Sequence, residues 1–352
     1  MLEQKFAEYL KELLPLNTAT LVVAVSGGAD SLALCLLAKF YAAKNNLDLH
    51  TATVDHNLRP DSKAEAAYTN KLLNSFEIAH QTFIWQHEPH VKRLHENARM
   101  ARYKMLTDYT KQFKNSVLLT AHHSHDQAET IMMRLLKGSG LKGLTGMQNL
   151  SEMHDTTIIR PFLTTPPEEL RAYLKLKNIQ WLEDSSNSNP RFERTRIRNI
   201  LGLLQKEGFA IEGINKSSAH LKNSENALEI FHKQYEQKFV LKNNSSLQPR
   251  HCEQQSSKAI HATNGSPQPY GLRDDSSCIM IDQTIFFNSP VFVQIEFLRN
   301  QLYTLGNSQY PKPFKTIEAV LEILKAPKVN DYKICGCIIK VAKKIITIIP
   351  AT

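Results

Sequence analysis

The pattern of apolar and polar positions changes character near residue 200. Before that point, short β-branched runs alternate with Ala- and Leu-rich stretches whose apolar residues recur every three or four positions. These are the periods of strand and helix. Strands are predicted over 21–25, 47–54, 78–85, 117–121 and 157–159, and helices over 32–44, 61–76 and 91–113. A surface helix is expected over 1–16, and Pro166-Pro167-Glu168-Glu169 opens another, with proline in its first turn and acids at its positive end. Strand and helix alternating five times predict an α/β fold, a doubly wound five-stranded parallel sheet. Ligands in such sheets bind beyond the carboxyl ends of the strands, where the polar clusters at 26–31, 55–59, 122–130 and 160–161 all fall. One cleft should therefore collect them.

Beyond residue 202 the sequence is helical and Lys-rich to about 242, then rich in Asn, Ser, Gln, Pro and Gly over 243–277, which reads as a flexible loop. Strands are expected over 279–287 and 290–294, a helix over 316–325, and a terminal hairpin over 332–349 turning at Gly336 and Lys343-Lys344. Two regions result: a catalytic domain over 1–205, and a smaller, helical then α+β region over 206–352.

Charge and cysteine usage narrow the partners. A net charge of +9 favours a polyanion. No apolar run approaches the roughly 20 residues of a membrane helix, and the N-terminus carries no basic lead into an apolar core, so a cytoplasmic protein with no membrane partner is expected. The five cysteines (Cys35, Cys252, Cys278, Cys335, Cys337) contain no Cys-x-x-Cys, against a disulfide framework or a zinc site. Cys35 reads as core, and Cys335 and Cys337 as packing residues on one side of a strand.

The chemistry centres on Ser26-Gly27-Gly28-Ala29-Asp30-Ser31 between the first strand and its helix. Adjacent glycines let N–H groups converge on an anion at a positive helix end, and Ser26 and Ser31 add hydroxyls. Asp30 has the wrong charge for a phosphate unless a cation intervenes, which points to Mg2+. The Lys of the Gly-x-x-x-x-Gly-Lys-Ser/Thr loop is missing, so this is a different phosphate loop; a plain capped turn is the alternative. Asp55-His56 ends the second strand, either beside a nucleotide or as an Asx turn. Glu96, Arg99 and Arg102 share a helix face, as phosphate-binding cations or an ion-pair ladder. Asp126 and Glu129, one helical turn apart, can hold Mg2+ or grip an ammonium group. The 138–146 glycine loop is either a closing element or a connection. Asp184-Ser185-Ser186-Asn187 precedes an Arg run, Arg191, Arg194, Arg196 and Arg198, which favours a polyanion.

Together these motifs resemble the tRNA(Ile)-lysidine synthetases of the PP-loop ATP-pyrophosphatase superfamily. The likeness rests on Ser26-Gly27-Gly28-x-Asp30-Ser31, Val54-Asp55-His56-x-Leu58-Arg59, Glu96-x-Ala98-Arg99-x-x-Arg102-Tyr103, His122-His123 with Asp126-x-x-Glu129-Thr130, Arg160-Pro161, Trp181-x-x-Asp184-x-Ser186-Asn187 and Arg194-x-Arg196-Ile197-Arg198, over about residues 20–200. It implies a fold of the adenine-nucleotide alpha-hydrolase-like type. It also implies a reaction: ATP adenylates carbon 2 of the wobble cytidine in a CAU-anticodon tRNA-Ile, and the ε-amine of free L-lysine displaces AMP. By the same resemblance, residues 26–31, Asp55 and His56 would bind ATP, with Asp30 on Mg2+. Asp30, Arg102 and Asp126 would be catalytic, Asp126 and Glu129 would bind lysine, and Arg194, Arg196 and Arg198 would contact tRNA. Thr195 stands where the family commonly has Asn. A tRNA thiolase of the same superfamily is the rival enzyme, although it needs cysteines to deliver sulfur. A non-catalytic ATP sensor is the rival outside enzymes, and a homodimer is left open.

Overall fold

A computed structural model describes residues 2–58, 61–87, 94–183, 193–243, 278–306, 312–326 and 331–351. In chain order it begins α1 (Leu2–Leu13), β1 (Thr20–Ala24), α2 (Ala29–Asn45), β2 (Asp48–Asp55), α3 (Ser62–Ser75) and β3 (Ala79–Ile84). It continues α4 (Leu94–Thr110), β4 (Ser116–Leu119), α5 (Ser124–Leu136), α6 (Leu141–Leu144), β5 (Leu150–Met153), β6 (Thr156–Ile159), α7 (Pro167–Leu176), α8 (Glu193–Lys206) and α9 (Ile211–Phe239). The six strands order as β3-β2-β1-β4-β6-β5. The five expected strands are parallel, and β5 adds an antiparallel edge to β6. With only four residues and alternate exposure, β5 carries too short a pattern to be read from sequence.

β1 is buried on both faces, which is why it reads as a continuous apolar run. Leu21 and Val23 face one cluster with Leu32, Leu34 and Leu37 of α2, Phe6 and Leu10 of α1, and Leu170 and Leu174 of α7. Val22 faces the other cluster, with Ala52, Leu118 and Ile158 of the sheet and Tyr103 and Leu106 of α4. Helices thus cover both sides. Because β2 and β4 flank β1 on opposite sides, the winding direction reverses between β1 and β4, and a crevice opens beyond their carboxyl ends.

Two compact units divide the chain, 1–223 and 224–352, so the first part of α9 groups with the sheet. Ile211 and Ile214 pack with Ala128, Ile197 and Leu201, and Asn215 Nδ2 donates to Ser124 O at 3.0 Å. The second unit contains β7 (Val240–Asn243), β8 (Ile279–Asp282), α10 (Gln283–Phe287), α11 (Val291–Leu305), α12 (Phe314–Lys325), β9 (Tyr332–Ile334), β10 (Cys337–Ala342) and β11 (Ile345–Pro350). Its antiparallel sheet runs β7-β8-β11-β10-β9.

Three expectations for this unit are corrected. The strand from 279 stops at Asp282, whose carboxylate accepts from Ile285 N at 2.9 Å and caps α10. Residues 291–294 begin α11, because Pro290 precedes it and Val293, Phe297, Leu298, Leu302 and Leu305 are buried at helical spacing. Cys335 occupies a turn at φ 53°, while Cys337 is buried in β10, so the two do not share a strand face. Most of the 243–277 segment lies outside the described residues. Among the described residues no helix is long and apolar enough to cross a membrane.

His80 on the edge strand β3 carries a test of this packing. Burial pushes its pKa down to about 4, so the folded unit prefers the neutral ring. Stability from this group is complete above about pH 6.5 and is lost as pH falls towards 4, since only the unfolded chain takes up the proton in that window. Urea midpoints read by Trp85 and Trp181 fluorescence should fall over that range, and His80→Gln should flatten the slope. An unchanged slope in the variant would contradict the burial.

Candidate active site at the β1–β4 crevice

Leaving β1, the backbone is fixed by Val25 N donating to Ala52 O at 2.9 Å and turns at Gly27, φ +83°. A Cβ there would lie 2.4 Å from Thr69 Oγ1 and 2.8 Å from Leu182 Cδ1. Gly28 meets nothing closer than 3.6 Å and forms the N-cap of α2 with no side chain to offer. Ser31 Oγ accepts from Ser26 N at 3.1 Å and donates to Gly28 O at 3.0 Å. With its proton so used, Ser31 Oγ accepts from Ser26 Oγ at 3.2 Å. The two serines therefore stitch the turn together. The positive end of α2 is left without a side-chain cap from Gly28, an arrangement that can receive an anion on main-chain N–H groups.

Asp30, in the first turn of α2, meets the N-terminus of α5 across the crevice. His123 caps α5: Asp126 N donates to its Nδ1 at 3.3 Å, and His123 N donates to Asp126 Oδ2 at 3.1 Å. An accepting Nδ1 puts the ring proton on Nε2, which lies 3.6 Å from Asp30 Oδ2 and 3.5 Å from Asp126 Oδ2. One imidazole thus joins two carboxylates. Burial, with Asp126 adding to it, pushes the Asp30 carboxyl above its ordinary range against the pull of His123 and Arg171. Burial acts on Asp126 in the same direction, but His123, Arg194 and His122 outweigh it and hold that carboxyl below its usual range. Asp30 Oδ1 is buried and makes no hydrogen bond. His122 is pushed down to about 3 by burial and by Arg102, Arg160 and Arg99, and stays neutral at physiological pH.

One helical turn along α5, Glu129 is 1% exposed. Arg194 Nε donates to its Oε2 at 2.6 Å and Arg198 Nε to its Oε1 at 2.7 Å, while Arg194 Nη2 reaches Asp126 Oδ1 at 2.9 Å. Burial works against the charge of Arg194, yet Asp126 and Glu129 raise its pKa overall. The carboxylates and arginines, expected to serve separate ligands, here engage each other. Arg196 is on an exposed face of α8, and Thr195 is buried. Arg99 and Arg102 flank the Tyr103 ring at 5.0 and 5.5 Å, and the charges of Arg102, Asp126 and Arg194 act on one another.

Other sequence-derived residues have structural partners. Asp55 Oδ1 accepts from Asn57 N at 2.8 Å, with Asn57 at φ 52°, so an Asx turn ends β2. Glycines 143 and 146 are tied down by Arg134 Nη1, which donates to their carbonyls at 2.9 and 3.0 Å, so the loop is an anchored connection. Arg160 donates to Gln148 O and Ser151 Oγ and holds the strand end. Arg59, Asp184, Ser185, Ser186, Asn187 and Arg191 lie outside the described residues. Sequence reasoning missed the hinge role of His123 and the arginine partners of Glu129. Their signal was a matched spacing, acids at i and i+3 on one helix and arginines at i and i+4 on another.

The PP-loop domain profile matches residues 1–204. The chain belongs to the PP-loop family. PP-loop relatives include the tRNA(Ile)-lysidine synthase of Rickettsia akari (strain Hartford), 40% identical over 202 residues, covering 57% of this chain and 47% of that protein. That of Orientia tsutsugamushi (strain Boryong) is 35% identical over 221 residues, covering 60% and 50%. The chain spans about half the length of these curated relatives. Among solved structures, the U34-tRNA thiolase NcsA from Methanococcus maripaludis aligns with TM-score 0.53 at 18% identity, over 62% of this chain and 76% of that one. That likeness carries the fold alone.

The two loop glycines should respond differently to a methyl group. Gly27→Ala combines a left-handed backbone with a collision and should lower stability by roughly 1–3 kcal/mol, whereas Gly28→Ala should change it far less. Equal thermal shifts for the two variants would contradict the turn geometry.

Proposed function

We propose that this chain is an ATP-dependent tRNA-modifying ligase that converts the wobble cytidine of CAU-anticodon tRNA-Ile to lysidine. The observation that carries the reading is the junction at His123, which joins the Asp30 carboxylate at an anion cradle to the Asp126–Glu129–Arg194 cluster. A phosphate site and an amino-acid site are then neighbours. In the reaction, the cytidine carbonyl oxygen attacks the α-phosphorus of ATP and pyrophosphate leaves. The ε-amine of lysine then forms a bond to carbon 2, AMP departs with the oxygen, and the nitrogen gives up a proton.

The N–H groups opening α2 would hold the phosphates, and Arg102 would offset charge developing on them. Asp30 Oδ1, buried and without a hydrogen bond, fits a Mg2+ ligand. Mg2+ there would neutralise phosphate charge. Asp126 and Glu129 face two arginines, a balanced cluster that suits a zwitterion better than a bare cation. Asp126 and Glu129 would take the α-ammonium of lysine and Arg194 its α-carboxylate, leaving the ε-amine free to attack. Arg196, exposed on α8, would lie against tRNA. Sulfur transfer is disfavoured, because the chain has no Cys-x-x-Cys and Cys35 is buried in the core.

Pyrophosphate release from ATP and Mg2+ should require a CAU-anticodon tRNA-Ile transcript. Mass analysis should then find lysine added to the wobble cytidine when free lysine is supplied. Release without lysine incorporation would point to another nucleophile, and no release with intact tRNA would contradict the ligase reading.

A further inference from the structure

Three aromatic rings gather at the carboxyl ends of β2 and β3, outside every residue assigned above except His56. Trp85 follows β3 and is fixed by its N–H donating to Asp55 O at 2.8 Å, one residue beyond the Asp55–Ile84 pair. Its ring centroid lies 4.4 Å from that of His87, tilted by 35°, and 6.4 Å from that of His56, edge to face at 84°. All three side chains are half-buried. At this strand end the indole is braced by two imidazoles and keeps part of its surface exposed.

Sheet register gives its distance from the anion cradle. Ala24 of β1 pairs with Ala52 of β2, so Ser26 stands about level with Val54 and Trp85 about two residues further along the strands. Two strand spacings sideways and two residues forward separate Trp85 from the start of the turn by ~12 Å. That interval is comparable to the reach of a nucleoside triphosphate from its phosphates to its base. The route passes His56, which edges the indole.

We infer that Trp85 is a base-stacking residue: its half-buried indole receives the adenine ring of ATP whose phosphates occupy the turn at residues 26–31. The inference rests on the ATP site proposed above. Stacking on an aromatic ring stabilises a base without reading its edges. His56 and His87 act as positioning residues that hold the indole plane.

Trp85 and Trp181 are the two tryptophans, so Trp181→Phe in the full chain leaves Trp85 as the reporter. ATP should quench or shift Trp85 emission saturably, while inorganic tripolyphosphate, which carries the phosphates without the base, should compete with ATP yet leave the emission unchanged. In the otherwise unaltered chain, Trp85→Ala should weaken ATP binding measured by equilibrium dialysis on the order of tenfold, leave tripolyphosphate affinity within about twofold, and be largely rescued by Trp85→Phe. ATP retained in dialysis with silent Trp85 emission and an unchanged dissociation constant in Trp85→Ala would overturn the stacking role and leave the ATP site standing. No ATP retained by the unaltered chain would overturn both.

Discussion

A carboxylate as buried as Glu129 must be compensated, and the crevice is built around that compensation. Arg194 and Arg198 are four residues apart on α8, one helical turn, and each gives its Nε to a different oxygen of Glu129. Arg194 then spans to Asp126, Asp126 caps α5 with His123, and His123 touches Asp30 on α2. Three helices from distant parts of the sequence are tied together by this chain of charges. A shift of α8 would leave Glu129 buried without its cations, which is far costlier than losing a surface ion pair.

The sheet explains why those charges meet. Reversal of winding at β1 brings the N-termini of α2 and α5 to the same side of one crevice, with positive helix ends converging on it. Burial on both faces of β1 fixes the strand, and the strand fixes the turn at Gly27. The main chain thereby forms the turn that opens α2, while side chains form the charge network beside it. Core, turn and charge network are consecutive consequences of one topology.

Features set by local physics were legible in the sequence. The five parallel strands and the turn at Gly27 follow from β-branched runs and from a left-handed backbone angle that favours glycine. The proximity of clusters 26–31 and 122–130 follows from the sheet rule. What depended on distant pairing was not legible: Arg194 meets Glu129 across 65 residues, so each read as a group waiting for a ligand. Val291-Phe292-Val293 has the composition of a strand, yet the spacing of Phe297, Leu298 and Leu302 behind it makes a helix. Ile211 and Ile214 pack back onto α5 and α8, a contact that composition does not announce.

Glu129 and Arg194 stabilise each other as one unit. A double-mutant cycle in urea unfolding, with Glu129→Gln, Arg194→Gln and the pair, measures that directly. A coupling energy of about 1–3 kcal/mol is expected, with the double variant less damaged than the sum of the singles. Additive effects, with no coupling beyond error, would contradict it.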